Sequence, residues 1–448
     1  MTLEEAKEIV FSHKQGLRKL YDTYGNKTWA DYASDRYPKS SHLSHTEELF
    51  TSLRSLLVPL IGEDKAKKTE LSLKKNGFVS TTDHHGILHH PFFYNASLVR
   101  NVLSPSDTII CLSCGNISPT NSSYPRGISF RDDNHNIQKI SFISLHNRRQ
   151  PLFGLPAFSR ETLETNKDKI QSLHLAPEKK HKLLSWIEKI ERNKNIFTAP
   201  RISDQFTIMN DILWEEMRGS TCGNLVYLEI ESLIRQLLLD IHIDEDTLIH
   251  KIIFNSHTRD TYINSFEDVV GAHSHKVGRG TDLFWYIDEL HNVRIQLSLV
   301  DNHLVSNDHS IRIPLHTGVI RDHLMRFELV PSMALCYSIL AFYYGLTLGG
   351  GFCQVDYLGD MKCAWRQVAD SAGEPFTDTE TDVFTGEFAL FTDNTNNPIT
   401  LFDLYLHKDT LDLSKIINET PIKKTLDSMM PEFVEIVTGK REKICDIS

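Results

Sequence analysis

The chain has 448 residues, 40% hydrophobic and 24% charged, with 48 basic against 59 acidic residues and a formal net charge of −11. That length allows one large domain or two to three of ordinary size with a sizeable core. The acidic balance argues against the broad phosphate-binding surface that drives nucleic-acid affinity, although a local basic pocket stays open. Met1 to Glu8 is acidic and amphipathic, so it reads as a helix rather than a signal peptide. Seven cysteines, an odd number, point to reduced thiols rather than a disulfide framework, and the cytoplasm is the expected compartment.

In chain order, Leu3 to Tyr21 has helical apolar spacing, and Glu47 to Leu60 forms a second helix opened by a capping-box-like Ser44/Glu47 pair. The period changes at Gly77: Phe78-Val79-Ser80-Thr81-Thr82 reads as a short buried strand, and Pro91 to Val102 as a helix with proline in its first turn. Thr108 to Ser113 is a second strand, which completes a β-α-β unit and implies a parallel pair. Ile128 to Phe130 and Lys139 to Leu145 suggest further strands. Residues 160–195 are helical, followed by helices over Ser203 to Met217 and over the strongly apolar Leu225 to Leu239.

Thr281 to Ile287 and Val293 to Val300 alternate like a hairpin, Ser310 to Leu315 adds an edge strand, and the chain returns to helices from Asp356. Met333 to Phe352 is nearly uncharged and as long as a bilayer span. Its tyrosines and its Gly349-Gly350-Gly351 end favour a buried core helix, and no membrane is expected. The fold class expected is α/β: a Rossmann-like parallel core with a helical N-terminal lead-in, additional helices and a small antiparallel element. Its segments are the lead-in (1–75), the first half of the core with its loops (76–200), a helical insert, hairpin and second half of the core (201–370), and C-terminal helices (371–448).

The densest chemistry lies in Asp83-His84-His85-Gly86-Ile87-Leu88-His89-His90, one carboxylate and four imidazoles in eight residues. This composition suits proton transfer or metal ligation near neutral pH, at the carboxyl end of a parallel strand where open sheets bind ligands. A plain helix-capping loop is the alternative. His84, His85, His89 and Cys114 could supply a zinc ligand set, although no HExxH is present. Of the Cys111/Cys114 pair, Cys111 reads as a core thiol and Cys114 as the functional one.

The loop from Cys114 to Gly127 carries Asn116, Asn121, Tyr124 and Arg126, groups able to hold a phosphate or carboxylate, with Arg126 as a bidentate clamp. An ordinary turn region explains the same residues equally well. Gly349 to Gly351, ahead of Gln354 and Tyr357, lets the backbone approach another element or a ligand closely.

Taken in order, several of these pieces resemble the bacillithiol-forming cysteine-adding enzymes, bacterial proteins that join cysteine to a glucosaminyl-malate. The segment from Thr82 to Phe93 stands where that family has Gly-Gln-Gln-x-Gly-Leu-Leu-x-Gly-Pro-Leu-Tyr, keeping Gly86, Leu88 and Pro91. Leu112 to Gly115 keeps a strand-ending glycine, Asp282 to Tyr286 is similar to a family Leu-Phe-Tyr strand, and Gly351 to Lys362 to a Gly-Pro-Gly-Glu-x-x-Tyr-Trp-Gly-Glu-Leu-Lys segment. The order agrees over roughly residues 77–362, but the chain lacks the family's long heptad segment. Asp83-His84 replaces Gln-Gln and Asn116-Ile117-Ser118 replaces the acidic turn, so the resemblance implies the fold with a divergent activity. Asp83-His84-His85 also resembles the DHH of two-manganese phosphoesterases without their other Asp motifs. Gly86 to His89 resembles the HxGH of nucleotidyl transferases, with Phe92 where the second His belongs.

The expected function is that of a ligase or transferase joining or transferring a small amino-acid-like substrate. In it His84, His85 and His89, beside His90, act as acid, base or phosphate contacts, Asp83 orients a histidine, and Cys114, Asn116, Asn121, Tyr124, Arg126, Gln354 and Tyr357 bind substrate. A metal-dependent hydrolase or oxidoreductase using the same imidazoles, and a non-catalytic ligand-binding protein, are the alternatives. ATP or a divalent metal stays open as cofactor. The partner expected is a small molecule, with a homodimer left open.

Overall fold

A computed structural model describes residues 1–104, 106–119, 126–218, 223–288, 293–393, 397–407 and 413–439. Its strands are β1 (Phe78–Ser80), β2 (Ile109–Ser113), β3 (Gly127–Arg131), β4 (Ile137–Ser141), β5 (Leu225–Glu229), β6 (Phe284–Asp288), β7 (Val293–Val300), β8 (His303–Ser306), β9 (Arg312–Pro314), β10 (Leu329–Pro331) and β11 (Thr347–Gly349). The protein is mixed α/β. A four-stranded parallel sheet runs in the order β11-β1-β2-β5, a five-stranded antiparallel sheet in the order β10-β6-β7-β8-β9, and β3-β4 form a separate hairpin.

Every residue of the four parallel strands is buried, because helices cover both faces of the sheet. Ile109, Cys111, Leu225 and Tyr227 face one core with Phe92, Val99, Phe206 and Leu213. Ile110, Leu112, Val226 and Leu228 face the other with Leu49, Leu53, Leu233 and Leu237. The pairing places the carboxyl ends side by side: Ser80 is opposite both Gly349 and Cys111, and Ser113 is opposite Glu229. From β1 the chain steps through β2 to β5, then returns to the far side of β1 as β11. Strand order therefore reverses at β1, where open parallel sheets form ligand crevices.

Three expectations change. Leu225 to Leu239 divides into β5 and a helix over Ile230–Leu237, since a strand covered on both faces is as uniformly apolar as a core helix. Ser44 does not cap the helix Thr46–Ile61. Its hydroxyl bonds the Tyr343 carbonyl and His45 takes the cap position in a left-handed conformation, whereas Thr2/Glu5 and Thr28/Asp31 close true capping boxes. Met333 to Phe352 is buried as expected but is no single helix: Met333–Tyr337 continues into a π-type turn, Ser338–Tyr343, and then into β11. Among the described residues no helix is long and apolar enough to cross a membrane.

Candidate functional site

The loops that leave β1 and β2 are fastened to each other. Cys114 donates its N–H to the Asp83 carbonyl (2.9 Å) and His85 donates its own to the Cys114 carbonyl (2.7 Å), so the parallel pairing continues one step past the strands. Desolvation holds the buried Asp83 carboxyl well above the usual carboxylate range, against the opposing pull of the His84 N–H.

The four imidazoles of this segment do not converge. His85 is fully buried, stacked on Tyr227 with ring centres 5.8 Å apart. Its Nε2 donates to the Ser203 carbonyl (2.9 Å), which leaves Nδ1 to accept from the Ser113 hydroxyl (2.7 Å). Burial lowers its pKa, as it does that of His89, brought down to about 4, whose Nδ1 donates to the Ile87 carbonyl (2.9 Å). His90 caps the helix Pro91–Leu103 by accepting from the Phe92 N–H (3.2 Å), and its Nε2 lies 3.7 Å from Glu432. His84 is half-buried beside Phe93. Both nitrogens of His85 are thus engaged by neighbouring chain, which gives that ring a positioning role in place of a proton-transfer one.

A different cluster assembles at the carboxyl ends of β2 and β5. Cys114 donates its thiol to Glu231 Oε1 (3.1 Å), and the N–H groups of Gly115 and Asn116 reach the same carboxylate at 2.7 and 3.0 Å. Arg294, reaching in from β7, donates to the Asn116 carbonyl (2.6 Å) and side-chain oxygen (3.0 Å) while lying over the Trp285 ring at 4.0 Å. Burial, and then the neighbouring Glu229, push the Glu231 carboxyl up. Burial and Glu231 push the Cys114 thiol well up, and burial lowers the Arg294 guanidinium. The Cys111 thiol, pushed up to about 12 by burial, faces Ser97 in the core, as its pattern predicts.

Behind this cluster Arg201 pairs with Glu229 and Asp204, each at 3.0 Å. Glu229 Oε1 is buried without a hydrogen-bond partner among the described residues. A cavity of about 470 Å³ adjoins Arg201, lined also by Gln150, Pro156, Arg326 and Phe327.

At the β1/β11 side, Gln354 accepts from Tyr337 (3.2 Å) and donates to Thr81 (2.7 Å), while Tyr357 stacks on Tyr337 with ring centres 6.3 Å apart. Burial raises the pKa of both tyrosine hydroxyls. The three glycines bring the backbone against other elements: a Cβ on Gly349 would meet Thr385, and one on Gly351 would meet Glu387. Glu387, at φ +67°, accepts from the Phe352 N–H, and burial raises its pKa to about 8.

Arg126 donates from Nη2 to the Ile143 carbonyl (3.1 Å) at the base of the β3-β4 hairpin. Asn121 and Tyr124 lie outside the described residues. Nor do His84, His85, His89 and Cys114 make a metal centre: among the described residues the group of His, Cys, Asp and Glu close enough to hold an ion is Glu267, His273 and His275. Glu231, Arg294 and Glu387 carry no local signal in the sequence, since each acts on groups far away in the chain. The close pair His273/His275 was legible as an HxH spacing. A scan against protein-family models finds no match, and a search of curated proteins finds none.

Proposed function

We propose that the protein is an enzyme with a Rossmann-like core, a ligase or transferase that joins or transfers a small amino-acid-like substrate at the carboxyl edge of its parallel sheet. The observation that carries this reading is the Cys114–Glu231 pair, a half-buried thiol donating to a buried carboxylate, with Arg294 and Asn116 beside it. Carboxylates raised by burial serve as proton carriers near neutral pH, and groups shifted by burial and by a specific charge partner cluster at functional sites.

In this reading Glu231 takes and returns the proton of the substrate amine or thiol, and Cys114 shares that proton. Arg294 and Asn116 orient the substrate's anionic group, while Gln354 and Tyr357 line the β11 side. His84, whose backbone pairs with Cys114, is the imidazole of the His-rich loop assigned to proton transfer in this reading, and His85 holds the loop in position. The cavity at Arg201 has the size of small-molecule pockets.

Thermal-shift screening of the purified protein against amino acids, with and without ATP, tests this. A ligand that binds only the native state raises the melting temperature. An amino-acid-dependent rise that Glu231→Gln abolishes is the expected result. No rise with any amino-acid-like compound, or a rise that survives Glu231→Gln unchanged, sinks the reading.

A further inference from the structure

The loop between the helix Ser256–Phe266 and β6 brings together four side chains that the sheet-edge site does not use: Glu267, His273, His275 and Asp282. Glu267 Oε2 lies 2.6 Å from His275 Nδ1 and 3.5 Å from His273 Nε2. On the other side of the His275 ring, Nε2 is 2.9 Å from Asp282 Oδ1, which is itself 4.0 Å from His273 Nε2. A tetrahedral ion with bonds of about 2.0–2.1 Å places its ligand atoms roughly 3.3 Å apart, and one donor atom from each of Glu267, His273 and His275 lies within 4.8 Å of the other two.

We propose that Glu267, His273 and His275 bind a divalent transition-metal ion of the zinc type, with Asp282 holding His275 in place. Two imidazoles and one carboxylate are a donor set for zinc and its neighbours rather than for magnesium or calcium, which take oxygen ligands. Ligating histidines usually give their second nitrogen to a carboxylate or a backbone carbonyl, which fixes the ring. Both histidines satisfy that rule: His275 Nε2 is bonded to Asp282 Oδ1, and His273 Nε2 to the Ile263 carbonyl at 3.1 Å.

One atom is then left over in a manner that ordinary packing does not explain. His273 is 1% exposed, yet its Nδ1 has no hydrogen-bond partner among the described residues. An ion supplies what that lone pair lacks. Asp282 is anchored in turn, since its Oδ2 accepts from the Leu299 N–H (2.7 Å). His275 is half exposed, so an ion can enter from solvent.

The loop also touches the sheet-edge region: a Cβ on Gly271, at φ +84°, would meet Met333 and Tyr357. Metal binding here is independent of the reading of Cys114 and Glu231, so either can fail alone.

The test uses the full-length protein, stripped with a chelator and titrated with zinc by calorimetry. Binding of one zinc per chain is expected, with cobalt substituting to give the visible absorption of a nitrogen- and oxygen-ligated ion. His275→Ala, at a half-exposed position that leaves folding intact, should abolish the stoichiometric binding, and Asp282→Asn should weaken it by roughly 10–100-fold. His257→Ala, an exposed histidine elsewhere, should leave it unchanged. The proposal is overturned if zinc binds no more tightly to the native chain than to His275→Ala, or if the protein takes up magnesium in preference to zinc.

Discussion

Glu387 shows how a single burial sets a pH dependence. Its carboxyl is raised from an ordinary 4.5 to about 8 by desolvation, so between those values the unfolded chain has released a proton that the folded chain retains. The stability this group contributes is complete below pH 4.5 and is lost as the pH rises through 8, by a few kcal/mol in all. Glu387→Gln keeps an oxygen for the Phe352 N–H but cannot ionise. Denaturant unfolding at acid and alkaline pH should therefore show a loss across that range in the native chain and a much smaller one in the variant.

His85 belongs to the same scale. Because both of its ring nitrogens are engaged inside the core, His85→Ala should cost about 2–4 kcal/mol of stability, from the cavity and the unpaired Ser113 and Ser203 groups. A variant as stable as the native protein would contradict that role.

The elements that matter most are the short parallel strands and the turns that leave them. Gly115 follows β2 where Glu229 of β5 crosses it so closely that a Cβ would lie 2.0 Å from Glu229 Oε1. Gly115→Ala must displace a buried carboxylate already paired to Arg201, and a fall in stability of about 1–3 kcal/mol is expected by thermal denaturation. The strand β1, the helix Pro91–Leu103 and the strand β2 were legible because the change of apolar period at Gly77, proline at a helix start and the β-branched run over Thr108 to Ile110 are local signals. The strand β5 was not, because five buried residues in succession carry no period that separates strand from helix.

At the scale of the whole molecule, the helix Met430–Val437 packs over the loops that leave the parallel sheet. Phe433, in the helix Met430–Val437, packs on Phe92 and on Phe352 with ring centres 5.7 and 4.8 Å apart, joining the C-terminal helix to the loops that follow β1 and β11. Phe433→Ala should lower unfolding free energy by about 3–5 kcal/mol, measured in denaturant, which is the usual cost of deleting a fully buried phenylalanine. If the C-terminal helix were dispensable the change would be within a few tenths of a kcal/mol.

By itself the sequence determined the class of fold, the β-α-β unit with its loop at the carboxyl edge, the buried thiol at Cys111, and the place of the two longest strands of the antiparallel sheet. Each of these follows from interactions within a few residues or from the periodicity of burial. Only the tertiary structure decided which side chains meet. His85, His89 and His90 lie within six residues of one another yet turn to three separate tasks, while Cys114, Glu231 and Arg294 are far apart in the chain and share one site. The reason is physical. The direction a side chain takes depends on strand register and on the packing of layers, and neither quantity is written in the spacing of residues along one loop.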